Sequence, residues 1–566
     1  MAEHIWLKSY PKSIPAEVDV DAYSSLKEFV ERSCARFAER PAYSNLGHTI
    51  SYAELDRLSA AFGAYLQKDL GLGKGDRIAI MLPNLLQYPV ALFGALRAGL
   101  TVVNVNPLYT PRELEHQLRD SGASAILVLE NFAHTVQEVL PRTQVNQVIT
   151  TQVGDMLRAP KRLLINFAVK HIKKMVPAWR IAGAQSFRTS LQRGAYLNLA
   201  PVDVGREDIA FLQYTGGTTG LAKGAMLTHR NMMANLLQAT AWIASEMKEG
   251  EEHVITPLPL YHIFALTANC LTFIKYGARN TLITNPRDIP AFVQELRKAP
   301  FSVITGVNTL FNALLNAPGF ADVDFRQLKL SLGGGAAVQR KVAERWRAVT
   351  GRPLIEAYGL TECSPCACCN LINITEFTGN IGLPIPSTEV SIRDDAGRQL
   401  RPGEIGEICV RGPQVMKGYW KHPEATAEIL SADGWLRTGD MGSMDERGYV
   451  RITDRKKDMI LVSGFNVYPN EVEDIAAMHP GILECAAIGV PDEKSGETVK
   501  LVVVRKDPAL TVEEIITHCR RQLTGYKVPK HVEFRSELPK TPIGKVLRRE
   551  LREQGSGVQE SGGGHQ

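Results

Sequence analysis

Between residues 76 and 129 the chain switches hydrophobic period repeatedly, through DRIAIML, YPVALFGALRAG, TVVNVNP, TPRELEHQLRDSG and SAILVL. Short continuous apolar runs alternate with segments of helical spacing. This order predicts strand, helix, strand, helix, strand, a parallel sheet wound with helices on its faces. A second region of the same kind runs from about 208 to 365 and includes FSVITGV, LKLSLGGGA and the helix VQRKVAERWRAV. From about 380 to 453 the pattern turns β-rich, with turn signals at DDAG and DERG, and a smaller α+β unit follows from Asp454 to about 550. The expected fold class is therefore α/β, with two doubly wound subdomains in an N-terminal domain spanning 1–453 and an α+β C-terminal domain spanning 454–550. Residues 551–566 are rich in Gly, Ser and Gln and read as a disordered tail.

At 566 residues the chain exceeds what one core can organise. Its net charge of +5 is small for that length, and no nucleic-acid motif accompanies it, so that class is set aside. The N-terminus lacks the apolar run of a signal peptide, and no segment approaches a membrane span. Nine irregularly spaced cysteines fit a reducing cytoplasm. The cluster Cys363, Cys366, Cys368 and Cys369 has no second Cys or His pair at zinc-site spacing, so it is not read as a metal site.

The stretch YTGGTTGLAKGAMLTHRN, Tyr214 to Asn231, concentrates glycine and threonine around one lysine. Such residues contribute little to a core, but they let backbone N–H groups and hydroxyls approach a phosphate. It is not a Walker A loop, because Lys223 follows Gly220 by three residues and no Ser or Thr comes next. The following GAMLT reads as a strand.

Between Asp155 and Asp203 there is no acidic residue while Lys and Arg recur. Within this segment Leu164, Phe167, Ala168, Ile172 and Met175 share one helical face, and Lys161, Lys170, Lys173 and Lys174 lie mostly off it. A basic amphipathic helix over 161–180 suits an anionic membrane surface, and equally a docked helix with a solvated basic side.

Five further segments follow in order: PLPLYHIF (257–264), YGLTECSP (358–365), GWLRTGD (434–440), DRKKDMILVSGFNVYPNEVE (454–473) and LPKTPIGKVLRREL (538–551). Together with the Gly/Thr loop they make the chain resemble the adenylate-forming enzymes over about residues 25–553. That superfamily holds acyl-CoA synthetases, peptide-synthetase adenylation domains and firefly luciferase. Within it the motifs are most similar to bacterial long-chain fatty acyl-CoA synthetases, which feed β-oxidation. The loop departs mildly from the commoner form, which has Ser where Gly216 stands.

The resemblance implies a β-rich part built as a distorted barrel and a C-terminal domain that moves. It implies ATP, Mg²⁺ and coenzyme A as cofactors and substrates and a fatty acid as the group activated. The cysteines add the expectation of a cytoplasmic protein, and the segment 161–180 that of contact with the inner face of the cytoplasmic membrane; a homodimer is a further expectation. Tyr214, Thr215, Gly216, Gly217, Thr218, Thr219 and Gly220 are expected around the β- and γ-phosphates, with Lys223 near. Gly333, Gly334, Gly335, Tyr358 and Gly359 are expected at adenine, Thr361 at the α-phosphate, and Glu362 on the metal. Asp440 suits both ribose hydroxyls, since a carboxylate offers two acceptor oxygens, and Arg455 supports it. Lys545 is expected to cover the meeting of acyl carboxylate and α-phosphate. His262, Phe264 and Leu266 are expected along the acyl and CoA channel. Lys457 matches the hinge, about which Ser463, Gly464 and Phe465 replace Lys545 for thioester formation. The same motifs also fit a fatty acyl-AMP ligase, a medium-chain synthetase, a carrier-protein adenylation domain, a luciferase-like oxygenase or an inactive nucleotide sensor. The twenty or so residues after Lys545 leave no room for a carrier domain, and retention of Lys545, Glu362 and Asp440 argues against the sensor.

Overall fold

The computed structural model describes residues 4–215, 222–542 and 544–555. These form four sheets. In the first, seven strands lie in the order Gln185–Ser186, Gln147–Thr151, Ala125–Leu129, Arg77–Met81, Thr101–Asn104, Ile209–Thr215 and Lys223–Thr228, parallel except for the last pair. The helices Gln87–Arg97 and Pro111–Ser121 make its crossovers. A strand buried on both faces must be apolar throughout, which is why AILVL and RIAIM read as runs.

The second sheet has nine strands. Its parallel centre runs Leu354–Gly359, Leu330–Gly333, Val303–Gly306, His253–Thr256, Arg279–Leu282 and Pro41–Asn45. The β-rich region forms a four-stranded antiparallel sheet, Glu389–Arg393, Gly406–Arg411, Leu436–Met444 and Val450–Arg455. The smaller unit has its own five-stranded sheet around the hairpin Ile482–Asp492 and Gly496–Arg505. Its separate core packs the helices Pro469–Ala477 and Val512–Arg520 through Val472, Ala476, Ile515 and Cys519.

One junction shows how local chemistry positions the site. The strand Lys223–Thr228 passes directly into the helix His229–Ile243 through a capping box. Thr228 Oγ1 accepts from the Asn231 N–H at 3.1 Å, and Asn231 Oδ1 accepts from the Thr228 N–H at 3.0 Å. The Asn231 amide also donates to Pro413 O and Val415 O, tying the helix start to the loop before the four-stranded sheet's third strand. The motif's closing THRN is thus a helix start, contributing about 1 kcal/mol.

Two expectations need correction. Residues 551–555 are helical, because the helix Arg548–Gly555 continues through them. Leu551 is its anchor, buried with Ala486, Ile488, Val502, Val504 and Leu538. In the basic segment, helix covers Lys161–Phe167 and a π-helical turn covers Ala168–Ile172, and the remainder to Arg180 is irregular.

Candidate active site

The strands Val303–Gly306, Leu330–Gly333 and Leu354–Gly359 all end in glycine at the same edge of the second sheet. Open α/β sheets bind ligands outside these carboxyl ends. A cavity of about 1460 Å³ lies there, larger than the roughly 300–1,000 Å³ of ordinary small-molecule sites. One end is polar and the other apolar.

At the polar end Asp440, 6% exposed, sits on the strand Leu436–Met444. Tyr358 donates its hydroxyl to Asp440 Oδ2 at 2.7 Å, and Arg455 Nε lies 3.2 Å from Oδ1. Burial, reinforced by the Asp440 charge, drives the Tyr358 phenol far above its ordinary range, so it stays protonated and able to donate. Each Asp440 oxygen keeps a lone pair for one more donor, which suits a vicinal diol. Glu362 lies in the 3₁₀ turn Thr361–Cys363 and accepts from the Tyr419 hydroxyl at 2.6 Å. The Lys223 ammonium sits over the Tyr419 ring, 5.4 Å from its centroid. Tyr419 therefore joins the carboxylate to the lysine of the Gly/Thr loop.

Lys545 enters the cavity from the smaller unit. Its loop is held by Thr541, whose N–H donates to Lys545 O at 2.7 Å and whose Oγ1 accepts from the Lys545 N–H at 3.0 Å. Gly544 has φ +88° and offers its carbonyl to Thr309 Oγ1 at 2.9 Å, and a Cβ there would lie 2.6 Å from that hydroxyl. Only glycine lets the loop approach the large unit this closely. Burial, then the Arg455 charge, draws the Lys545 ammonium down to about 8, with Asp440 opposing. His262 is pulled to about 4 by burial and then by Lys545, so its ring is neutral at pH 7. Its Nδ1 accepts from the Phe264 N–H at 3.3 Å, which leaves the proton on Nε2.

The apolar arm is built by two helical segments. From the helix His229–Ile243 it takes Asn235, Ala239, Trp242 and Ile243, spaced i, i+4, i+7, i+8. From the stretch 263–274 it takes Phe264, Thr267, Ala268, Thr272 and Phe273. Small residues stand midway and large aromatics at the far end. At the near end Gly334 faces Phe264, where a Cβ would lie 3.1 Å from the ring.

Of the residues expected from sequence, Tyr214, Thr215, Lys223, His262, Phe264, Gly334, Gly335, Tyr358, Gly359, Thr361, Glu362, Asp440, Arg455 and Lys545 all line this cavity. Gly216, Gly217, Thr218, Thr219 and Gly220 lie outside the described residues. Gly333 and Lys457 line a second cavity, about 1330 Å³, between the large and small units. Leu266 lines neither and is wholly buried in the core, because two residues along a helix turn its side chain away from the face of Phe264. Ser463, Gly464 and Phe465 also line neither cavity. Ser463 and Gly464, at φ +52° and +82°, make the two-residue turn of a hairpin that pairs Val462 with Phe465. A Cβ on Gly464 would meet nothing within 4 Å, so here its need is for backbone angle and not for space. Tyr419 and the tunnel residues Ala239, Trp242 and Ala268 were not picked out from sequence.

The smaller unit is docked by polar contacts. Asn312 Nδ2 donates to Leu483 O at 3.1 Å, and Lys341 Nζ donates to Ala477 O at 3.0 Å and His479 O at 3.1 Å. At the junction, Arg548 lies 3.1 Å from Asp454 and 2.7 Å from Glu473, and Arg552 donates to Asp458 Oδ1 at 3.1 Å.

A family model described as AMP-binding enzyme matches residues 30–420, and one described as AMP-binding enzyme C-terminal domain matches 471–545. The chain belongs to the AMP-binding enzyme family. Among relatives of this AMP-binding enzyme, a long-chain-fatty-acid–CoA ligase of Yersinia pestis is 60% identical, over 98% of each chain. One of Bacillus subtilis is 41% identical over 97% of this chain and 98% of its own. Among solved structures, ATP-bound MatB from Rhodopseudomonas palustris superposes with TM-score 0.79 at 29% identity, covering 94% of this chain and 99% of that one. The anthranilate CoA ligase AuaEII in complex with anthranoyl-AMP gives 0.83 at 24% identity, covering 95% and 99%, and shares the fold.

Proposed function

We propose that the chain is an ATP-dependent, AMP-forming ligase that joins long-chain fatty acids to coenzyme A. The observation that carries this reading is the single cavity that connects Asp440, Glu362 and Lys545 to an apolar arm. A carboxylate cannot acylate a thiol directly, because its leaving group would be oxide. Its oxygen attacks the α-phosphorus of ATP and pyrophosphate leaves, and the thiol of coenzyme A then attacks the acyl carbon of the mixed anhydride and displaces AMP. The first step brings two anions together, so positioning and charge compensation supply most of the catalysis.

In this reading Asp440 and Arg455 hold the ribose, Gly334, Gly335 and Tyr358 the adenine, and Thr215 and Lys223 the outer phosphates. Lys545 compensates the charge between acyl carboxylate and α-phosphate. His262, neutral with its proton on Nε2, lines the channel as a hydrogen-bond donor. Among the described residues no three His, Cys, Asp or Glu side chains stand together to hold a metal. Mg²⁺ characteristically relies on one or two carboxylates plus substrate phosphates, and Glu362 supplies such a carboxylate. Bound there, the ion would neutralise phosphate charge.

Pyrophosphate release with acids from acetate to oleate, with and without coenzyme A, tests the function. Long acids should give multiple turnovers only with coenzyme A present. Sustained turnover without it would favour an acyl-AMP ligase, and a maximum at hexanoate or octanoate a medium-chain enzyme.

The second half-reaction is assigned to a rotated small domain, with Lys457 as its pivot. Gly464→Leu should leave pyrophosphate exchange within a few-fold of wild type and depress thioester formation from acyl-AMP much more. Leucine at φ +82° costs about 1–2 kcal/mol of local strain, so melting is measured alongside. Equal loss in both half-reactions would assign Gly464 to folding.

The reading extends to the membrane that holds the substrate. Leu163, Leu164, Phe167, Ile172 and Met175 are all more than half exposed, so the apolar face of the 161–172 segment points outward. Lys173 and Lys174 are exposed beside it, whereas Lys170 is paired with Glu130 at 2.9 Å. A solvated docked helix would show the opposite arrangement. Among the described residues no helix is long and apolar enough to cross a membrane, so contact would be interfacial. Leu164→Ser/Phe167→Ser/Ile172→Ser should abolish co-sedimentation with vesicles. Lys173→Glu/Lys174→Glu should remove only the preference for anionic lipid, at about 1 kcal/mol per charge. Unchanged binding by the serine variant would refute the contact.

A further inference from the structure

The far end of the apolar arm is closed by Trp242, Ile243 and Phe273, with Cys369 and Ile385 beside them. Along the helix that carries them, Asn235 and Trp242 stand seven residues, or about 10 Å, apart at the α-helical rise. What stands behind this wall is the N-terminal segment. Tyr10 packs edge-on against the Trp242 indole, with ring centroids 5.4 Å apart and planes at 81°. Its hydroxyl donates to Pro384 O, the carbonyl next to Ile385. The indole is also held through its Nε1, which donates to Asn370 O at 3.0 Å. Trp6 and Ile14 belong to the same apolar cluster as Trp242, Ile243 and Phe273.

The segment is fastened along its length. Ser9 Oγ donates to Arg447 O at 2.7 Å, Val18 N–H to Ser387 Oγ at 3.0 Å, and Ser387 N–H to Ala16 O at 2.9 Å. Gly448, at φ +87°, lets the backbone of Trp6 lie where a Cβ would come within 2.4 Å. These fastenings come from the turn and loop flanking the four-stranded sheet, not from the helix that carries Trp242. The blind end is therefore a joint between two parts of the chain, and the tryptophan is a plug braced from behind.

We infer that the N-terminal strap, acting through Tyr10 on Trp242, sets how long an acyl chain the cavity admits. The inference rests on the apolar arm being the acyl site. Trp242 is then the specificity residue that meets the acyl terminus, and Tyr10 is a positioning residue. Removing the indole lengthens the arm; removing the brace lets the indole yield to a longer acid.

The test is a series of kcat/KM values for saturated acids from eight to twenty carbons, read as the ratio of twenty- to twelve-carbon activity within each preparation. A partly unfolded preparation lowers both terms and leaves the ratio alone. Trp242→Ala should raise the ratio roughly tenfold, the order of discrimination that a methylene-sized change in an apolar pocket gives. Tyr10→Ala should raise it in the same direction by less, and Tyr10→Phe, which keeps the ring contact, by less still. The Tyr10→Ala/Trp242→Ala double variant should not exceed Trp242→Ala, because the brace has nothing left to hold. Ala239→Phe, midway along the arm, should depress long acids and spare the eight-carbon acid. An unchanged ratio in Trp242→Ala and Tyr10→Ala, with Ala239→Phe behaving as stated, would overturn the strap inference alone. Additive effects in the double variant would overturn the coupling. An unchanged profile in Ala239→Phe would overturn the acyl-site reading beneath it.

Discussion

Replacing Lys545 by alanine is expected to slow acyl-adenylate formation by about a hundred- to a thousandfold, the usual cost of removing one preorganised electrostatic donor. Two other cations of the cavity already have partners. Arg455 is engaged by Asp440, and Lys223 stands over the Tyr419 ring. Pre-formed acyl-AMP and coenzyme A should still give thioester at a rate close to wild type, because in the proposed scheme Lys545 serves only the first orientation. The pH dependence carries a sign. Lys545 titrates near 8 in the free enzyme, so its charge is present below that pH and lost above it. Wild-type kcat/KM for adenylation should therefore decline as pH rises through about 8, and kcat should hold to higher pH, since bound ATP favours the charged amine. Loss of both half-reactions to the same degree in Lys545→Ala would refute the two-orientation scheme.

The parts of this site that were legible in the sequence are those whose chemistry allows few substitutes. A carboxylate suited to a diol, a lysine directly after a glycine in a loop, and glycines at strand ends have distinctive local contexts, and Asp440, Lys545 and Gly334 all line the cavity. The apolar arm was illegible for a physical reason. Asn235, Ala239, Trp242 and Ile243 repeat with helical period, and that period has the same appearance whether the face meets a core or a tunnel. Tyr419 lies outside every recognised motif and acquires its position only when the loop after the 406–411 strand folds back onto Glu362. Leu266 shows the converse error, since adjacency to Phe264 in sequence does not place it on the same face. The outward apolar stripe at 163–175 was visible as a stripe, but its direction depends on what the rest of the surface offers it. The orientation of the small unit also had no sequence signature. It rests on contacts such as Thr309 to Gly544 and Lys341 to Ala477, each contributing only about 1 kcal/mol.

The second large effect is expected at Arg548, which has no contact with substrate in the proposed scheme. Its guanidinium is shared by Asp454, which precedes Lys457 and is 1% exposed, and Glu473, which follows it. It also donates to Asn470 Oδ1 at 2.5 Å. Burial pushes both carboxyls above their ordinary range and Arg548 opposes it, so the three charges persist only together. Arg548→Met removes the cation and leaves two buried carboxylates, at a cost of about 3–5 kcal/mol. Lysine should rescue little, because it lacks the planar fork that reaches both partners. Since Lys545 lies three residues before Arg548, undocking of this helix should also displace the catalytic amine. The expected result is an early melting transition for the small unit, faster proteolysis near Lys457, and adenylation reduced with thioester formation. The pH response separates this account from general misfolding. With the cation gone, protonation of Asp454 and Glu473 favours the folded state, so lowering the pH should narrow the variant's stability deficit relative to wild type. A single cooperative transition that stays at the wild-type temperature, or a deficit that widens as pH falls, would show that Arg548 does not hold the junction at Lys457.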